Sequence, residues 1–265
     1  MAILTAIMTH LDADRITRQL DYLEALSPGS RFVICHGGAR ADFDALDADN
    51  AIFVDEPSLR GPDQDRSHTE VILAVYEQFV RNDPSVELAY FIEYDQLIVA
   101  ADFEQKLGDL ADRFNAGLFA KNAIRCNDTN WPHFTRHRHN ERLNAFFAAI
   151  SRRDDPHARW GALGNGMLFR RDALAAIASV ENLPHGYVEI FIPTLTYHLG
   201  FDLVNVDAVC DLYTSVRYRP EFTTEEVIRA KEAGGTFVHP FKDLSGLDRV
   251  LAAPAPSDTI SGVAR

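Results

Sequence analysis

The sequence predicts an α/β sandwich built around a mostly parallel central sheet, and three observations carry that expectation. Over the first hundred residues, strand-like apolar runs alternate with helix-periodic segments in the order strand, helix, strand, strand, helix, strand. Residues 88–92 (LAYFI) form an apolar run bounded by polar residues, the pattern of a strand buried on both faces. A chain of 265 residues, 46% hydrophobic and 25% charged, is large enough to bury a substantial core and is neither disordered nor fibrous in composition.

Each element has a local reason. Residues 2–8 are apolar and partly β-branched and read as the first strand, with Thr9 and His10 in the loop at its carboxyl end. Asp12 or Asp14 is placed to cap a helix whose Ile16, Leu20, Leu23 and Leu26 recur at helical spacing, and Ser27-Pro28-Gly29 stops it. Residues 31–35 and 51–54 are the next two strands; the first runs into the turn His36-Gly37-Gly38 and the second into Asp55-Glu56-Pro57. After a polar loop, Ser67 to Glu70 has the spacing of a capping box opening a helix with Ile72, Val75, Tyr76 and Phe79 on one face. The central strand follows. Beyond it come a helix marked by Phe103, Leu107, Leu110 and Phe114, a short strand at 117–120, and a helix at 140–150. The segment 160–171 reads as a glycine-bearing mobile loop that runs into a strand at 167–169 and a helix from Asp172. A helix within 185–198, a strand at 202–206, a capped helix from Thr223 and a strand at 236–238 complete the pattern. Residues 1–243 are expected to form one domain, and 244–265 a tail that is loose from Ala252 on.

The net charge of −13 argues against an extended nucleic-acid footprint. Cys35, Cys126 and Cys210 offer neither a disulfide framework nor a zinc pattern and suit a reducing compartment. The N-terminus has no basic leader region and no run is long enough to span a bilayer, so the expectation is a cytoplasmic protein, with peripheral attachment to the inner face of a membrane left open. Neither a G-x-G-x-x-G fingerprint nor a P-loop is present.

The chemistry-bearing stretch is Glu93-Tyr94-Asp95, directly after the central strand. Open α/β sheets bind ligands outside the carboxyl ends of their strands, and hard cations use one or two carboxylates together with substrate phosphates. Glu93 and Asp95 are therefore candidates to hold a divalent metal against a diphosphate, or else they are a charged strand end. Glu189 stands near the start of an otherwise apolar helix, either as a buried general base or as a complement to the helix dipole. Residues 121–142 are locally basic, with Arg125, Trp131, His133, Arg136, His137, Arg138 and His139; they read as a solvated loop or as a lid whose cations meet phosphate and whose Trp131 stacks on a ring. The three histidines follow no helical period that would gather them on a metal. His239-Pro240-Phe241-Lys242 offers a late metal ligand and a phosphate contact.

In this order the pieces resemble a GT-A-type glycosyltransferase of the nucleotide-diphospho-sugar transferase superfamily. Glu93-Tyr94-Asp95 resembles the D-x-D motif, with Glu in place of the first Asp; Gly161 to Gly166 resembles the segment lining the donor and acceptor site; Glu189 resembles the catalytic base of inverting members; His239 resembles the C-terminal histidine that completes the metal site. The resemblance covers residues 2–243 in order and spacing. It implies a GT-A-like, Rossmann-type α/β/α sandwich, with a nucleotide-binding half at 1–100 and an acceptor and catalytic half at 101–243, and a metal-dependent, inverting hexosyltransferase. It implies Mn²⁺ or Mg²⁺ held by Asp95 and His239, a UDP- or GDP-sugar donor, and a hydroxyl acceptor on a glycan or glycolipid. Thr9, His10, Asp55, Arg60, Glu93, Gly164, Asn165, Gly166 and Lys242 would bind the donor, with Arg66 as a further cation near the phosphates, and Glu189 would be the base. Two competing readings are a non-catalytic nucleotide-sugar-binding module of the same fold and a sugar nucleotidyltransferase; the latter lacks its glycine-rich basic loop after the first strand.

Overall fold

Along the strand Val86–Glu93, Leu88, Tyr90 and Ile92 join one apolar cluster, while Ala89 and Phe91 join the other. Along Ala2–Thr9 the same parting sets Ile3 and Ile7 against Leu4, Ala6 and Met8. A period of two with both sets apolar buries a strand on both faces, and helices on the two sides supply the cover. These residues belong to a computed structural model that describes residues 2–46, 48–55, 68–164 and 166–255.

The strands are β1 (Ala2–Thr9), β2 (Arg31–His36), β3 (Ala51–Phe53), β4 (Val86–Glu93), β5 (Leu97–Ile98) and β6 (Leu118–Ala120), then β7 (Ile124–Arg125), β8 (Trp160–Gly161), β9 (Met167–Arg170), β10 (Leu203–Asn205), β11 (Ser215–Val216) and β12 (Phe237–His239). Seven of them form the central sheet in the order β10-β6-β9-β4-β1-β2-β3. It is the mixed α/β architecture expected, parallel throughout except for β9, which runs antiparallel to both β4 and β6. The seven strands of this sheet all fall where the apolar runs lie. In a second sheet, β11-β12-β5, only β12 falls where a strand is expected; β5, β11 and the ribbon β7-β8 are additions that runs of two residues are too short to announce.

Several expected boundaries move. Asp12, not Asp14, caps the first helix, accepting from the Arg15 N–H at 3.0 Å. A short helix, Arg40–Asp44, fills what reads as a loop after His36-Gly37-Gly38. The helix after β3 begins at Thr69, with His68 at its cap in the left-handed region (φ 50°) and no cap bond from the His68 side chain; Ser67, the expected partner of Glu70 in a capping box, lies outside the described residues. Residues 121–142 are not irregular: they contain β7 and the helix Pro132–His137, which Pro132 opens. The segment 160–166 is tied down at its start by β8, whose Trp160 N–H donates to the Thr194 hydroxyl at 3.0 Å. Thr223 and Glu226 do form a reciprocal capping box. Residues 244–252 are not tail. They form a 3₁₀ turn and the helix Leu247–Ala252, whose Leu247 and Val250 are buried against the first helix's side of the core.

Gly166 shows how tightly the centre is packed. It holds φ +90°, and a Cβ there would stand 2.1 Å from the Tyr90 hydroxyl, which itself meets the Tyr213 hydroxyl at 3.3 Å. Gly166→Ala combines left-handed strain with an overfilled core and is expected to cost about 3 kcal/mol, read as a lower urea midpoint at unchanged slope.

Candidate functional site

Because β1, β2, β3 and β4 are parallel, Thr9, His36, Phe53 and Glu93 all finish at one edge of the sheet, with Met8 directly opposite Glu93. Chain direction diverges between β1 and β4: β2 and β3 lie to one side, β9 and β6 to the other. Such a switch point opens a crevice at the carboxyl edge. A cleft of about 260 Å³ lies there, lined by Thr9, His10, His68, Glu93, Asp95 and Lys242 among others. A second cleft, of about 420 Å³, shares Glu93 with the first and is lined by Gly164, Trp131, His133, Glu189, Arg217 and His239 among others. The reversed direction of β9 explains the second cleft: Met167, opposite Phe91, starts that strand at the carboxyl edge, so the glycine-bearing segment arrives at the site.

Asp95 and His239 come together through the second sheet. β5 pairs antiparallel with β12, Leu97 opposite Val238, and the Phe241 N–H donates to the Asp95 carbonyl at 2.8 Å. The His239 Nε2 then stands 3.7 Å from Asp95 Oδ1, beyond hydrogen-bond distance, and Oδ1 has no hydrogen-bond partner among the described residues although Asp95 is buried. Burial pushes the Asp95 carboxyl above its usual range, opposed by His239 and Lys242. Burial likewise pulls the His239 imidazole down, opposed by Asp95, so at neutral pH it is an uncharged ring with a lone pair to give. An orphaned buried carboxylate oxygen beside a neutral imidazole is costly as it stands. The pair fits a divalent cation, whose ligands sit about 2.1 Å from the metal and hence about 3 to 4 Å from one another. Among the described residues no cluster of three or more His, Cys, Asp or Glu side chains gathers as a metal site. Further ligands would have to come from phosphate and water, as is usual for magnesium.

Glu189 lies in the first turn of the helix Val188–His198 and is partly buried there, its side chain 15% exposed, so both readings of it in the sequence describe the same placement. Its Oε1 accepts from the Gly164 N–H at 3.0 Å, and its Oε2 lies 3.9 Å from His133 Nε2. Burial raises its pKa, against the Gly164 amide and the Tyr187 hydroxyl, both of which favour the charged form. Pro193 adds a second tie. It stands inside the helix without an N–H, so the Glu189 carbonyl lacks its helical donor and instead accepts from the Ala162 N–H at 2.9 Å. Side chain and backbone of Glu189 thus hold both Gly164 and Ala162. Gln96, which the sequence does not single out, closes the arrangement: its Nε2 donates to the Gly164 carbonyl at 3.0 Å.

Of the residues expected to bind a donor, Thr9, His10, Glu93 and Lys242 line the first cleft and Gly164 the second. Lys242 is ion-paired with Glu221 at 2.9 Å, which raises its pKa. Asp55 follows β3 at the same edge of the sheet but is not among the residues lining either cleft. Gly166 turns the side of its α-carbon that would bear a Cβ to Tyr90 and the core. Arg60, Arg66 and Asn165 lie outside the described residues. His68 is a residue the sequence reading misses: its Nε2 comes 3.9 Å from Glu93 Oε1, brought there by the left-handed cap. His133 and His137 do share a helix, and their rings stack on Tyr187 with centroids 4.3 and 6.2 Å away instead of converging on a metal. Burial, with Arg136 and His137 nearby, lowers the His133 pKa.

Among the described residues no helix is long and apolar enough to cross a membrane. No family model matches the chain, and no curated protein matches it in sequence. One solved structure to which the chain is similar is described as the apo structure of the bifunctional glycosyltransferase WbbM, at 11% identity and a TM-score of 0.42, over 95% of this chain and 50% of that one. The chain spans about half the length of that structure.

Proposed function

We propose that this chain is an inverting glycosyltransferase that moves a sugar from a UDP- or GDP-sugar to a hydroxyl group of a glycan or glycolipid, with Mn²⁺ or Mg²⁺ bound by Asp95 and His239. One observation carries the reading. Two clefts meet at the carboxyl edge of the sheet, with the orphaned Asp95 oxygen and neutral His239 at their junction and a second, partly buried carboxylate, Glu189, in the far one. That is the separation transfer needs: a donor phosphate site and a base facing an acceptor. It also fits the GT-A resemblance of the motif order.

In this reading Thr9, His10 and Glu93 hold the nucleotide end of the donor, and Lys242 stands near its diphosphate. A divalent cation, when bound, supplies positive charge to the departing diphosphate. Glu189 takes the proton of the acceptor hydroxyl, whose oxygen bonds to the anomeric carbon as the bond to the diphosphate oxygen breaks on the opposite face. The raised pKa of Glu189 suits that role, since a base poised nearer neutrality is stronger than an ordinary carboxylate. Its two hydrogen bonds, from Gly164 and Tyr187, keep one orientation.

The test is a thermal-shift screen of UDP, GDP and their sugars with Mn²⁺ or with EDTA. At about 100 times its Kd, a ligand confined to the native state adds about 2.7 kcal/mol, so the matching nucleotide is expected to raise Tm by about 5 °C or more with Mn²⁺ and much less with EDTA. A shift indifferent to EDTA would remove Asp95 and His239 as metal ligands. No shift with any nucleotide would overturn the reading.

A further inference from the structure

The second cleft carries a feature that base and metal ligands do not explain. Tyr218 is 85% exposed, the one large hydrophobic side chain so exposed among the described residues, and it lines this cleft. Trp131 lines it too and is fixed in place: a Cβ on Gly161 would stand 2.0 Å from the indole Cζ3, so the absence of a side chain there is what seats the ring. The stacked His133 and Tyr187 rings add a third flat surface. Exposed aromatic rings around a cleft mark a binding face, because leaving them in water gains nothing for the fold.

Charge narrows what the face can take. The described lysine and arginine in the lining are both engaged by carboxylates: Lys121 with Asp207 at 2.7 Å, and Arg217 with both oxygens of Glu226 at 3.1 and 2.9 Å. The same lining holds two carboxylates, Glu93 and Glu189, with His133 Nε2 3.9 Å from Glu189 Oε2. A divalent cation on a nucleotide-diphosphate donor offsets the donor's own charge and does not make the cleft an anion site. Arg219 stands over the Tyr218 ring at 5.5 Å and is not among the lining residues.

Building on the transfer reading above, we infer that the acceptor is an uncharged saccharide whose apolar C–H face stacks on Tyr218 and Trp131, with one hydroxyl turned toward Glu189. Pyranose rings present such a face, and a ring of aromatic side chains with few polar groups recognises it. Tyr218 and Trp131 are then residues that set acceptor specificity.

Saturation-transfer-difference NMR on the full chain tests this, with methyl glycosides of the common neutral hexoses alongside glucuronate and glucose 6-phosphate. The wild-type protein is expected to saturate one or more neutral glycosides above both anions. Tyr218→Ala, at a site too exposed to unfold the chain, is expected to weaken that signal about five- to tenfold and Tyr218→Phe to keep it. The nucleotide thermal shift in the same variants reports on the donor reading separately and is expected to be unchanged. Preference for the anions, or a neutral-glycoside signal indifferent to Tyr218→Ala, would overturn the inference, as would no signal from any glycoside in a protein that still binds nucleotide. A Tyr218-dependent signal in a protein that binds no nucleotide would leave a saccharide site standing and overturn the transfer reading.

Discussion

Glu189→Gln is expected to lower transfer by about a thousandfold while leaving the protein folded. Gln keeps the shape and can still accept the Gly164 N–H, so the loop contact survives and only the proton acceptor is lost. Initial rates of sugar transfer check this, and activity within tenfold of wild type would remove Glu189 as the base. The pH profile gives a second signature. A carboxyl whose pKa is raised by burial must lose its proton before it can take one, so the wild-type rate should climb with pH through that raised value. The stability sign follows from proton counts. Between the ordinary carboxylate pKa and the raised one, the native chain binds more protons than the unfolded chain, so stability falls as pH rises through the window. The Gln variant lacks this contribution and is expected to be at least as stable as wild type at neutral pH. Asp95, whose shift has the same sign, remains in the variant and keeps its own share of the decline.

The second large effect is on Asp95. Asp95→Asn preserves volume and removes the charge that a cation needs, and it is expected to abolish the EDTA-sensitive part of the nucleotide Tm shift and to lower transfer at least a hundredfold. Unliganded, the variant is expected to melt no lower than wild type, since a buried carboxylate with an orphaned oxygen has been replaced by a neutral amide. Retention of an EDTA-sensitive shift would place the metal elsewhere.

What the sequence makes legible is local. Residues 88–92 announce a doubly buried strand because both parities are apolar, and the alternation of the first hundred residues announces a parallel sheet. The direction of β9 is not legible, because an apolar run of three residues reads the same either way, yet that reversal is what delivers Gly164 to the clefts. The position of His68 depends on a left-handed cap that Ser67 to Glu70 disguises as an ordinary capping box. The stacking of His133 and His137 on Tyr187 depends on a helix of six residues, shorter than periodicity can reveal. Gly166 is read as part of a ligand loop because a glycine's missing side chain serves close approach to a ligand and close approach to Tyr90 equally well.

The pairing of β5 with β12 sets a time of arrival. Asp95 follows a central strand early in the chain, but the imidazole that faces it belongs to β12, the last strand among the described residues, and reaches it only when Phe237 and Val238 dock on Ile98 and Leu97. Contacts so distant in sequence form late, after the loops between them have closed. A nascent or clipped chain that stops short of Phe237 would hold all seven strands of the large sheet and none of the β12 ladder, leaving Leu97 and Ile98 without their β12 partners. The proposed metal pair is thereby assembled only when β12 docks, so a chain cut before Phe237 is expected to lose the EDTA-sensitive part of any nucleotide Tm shift.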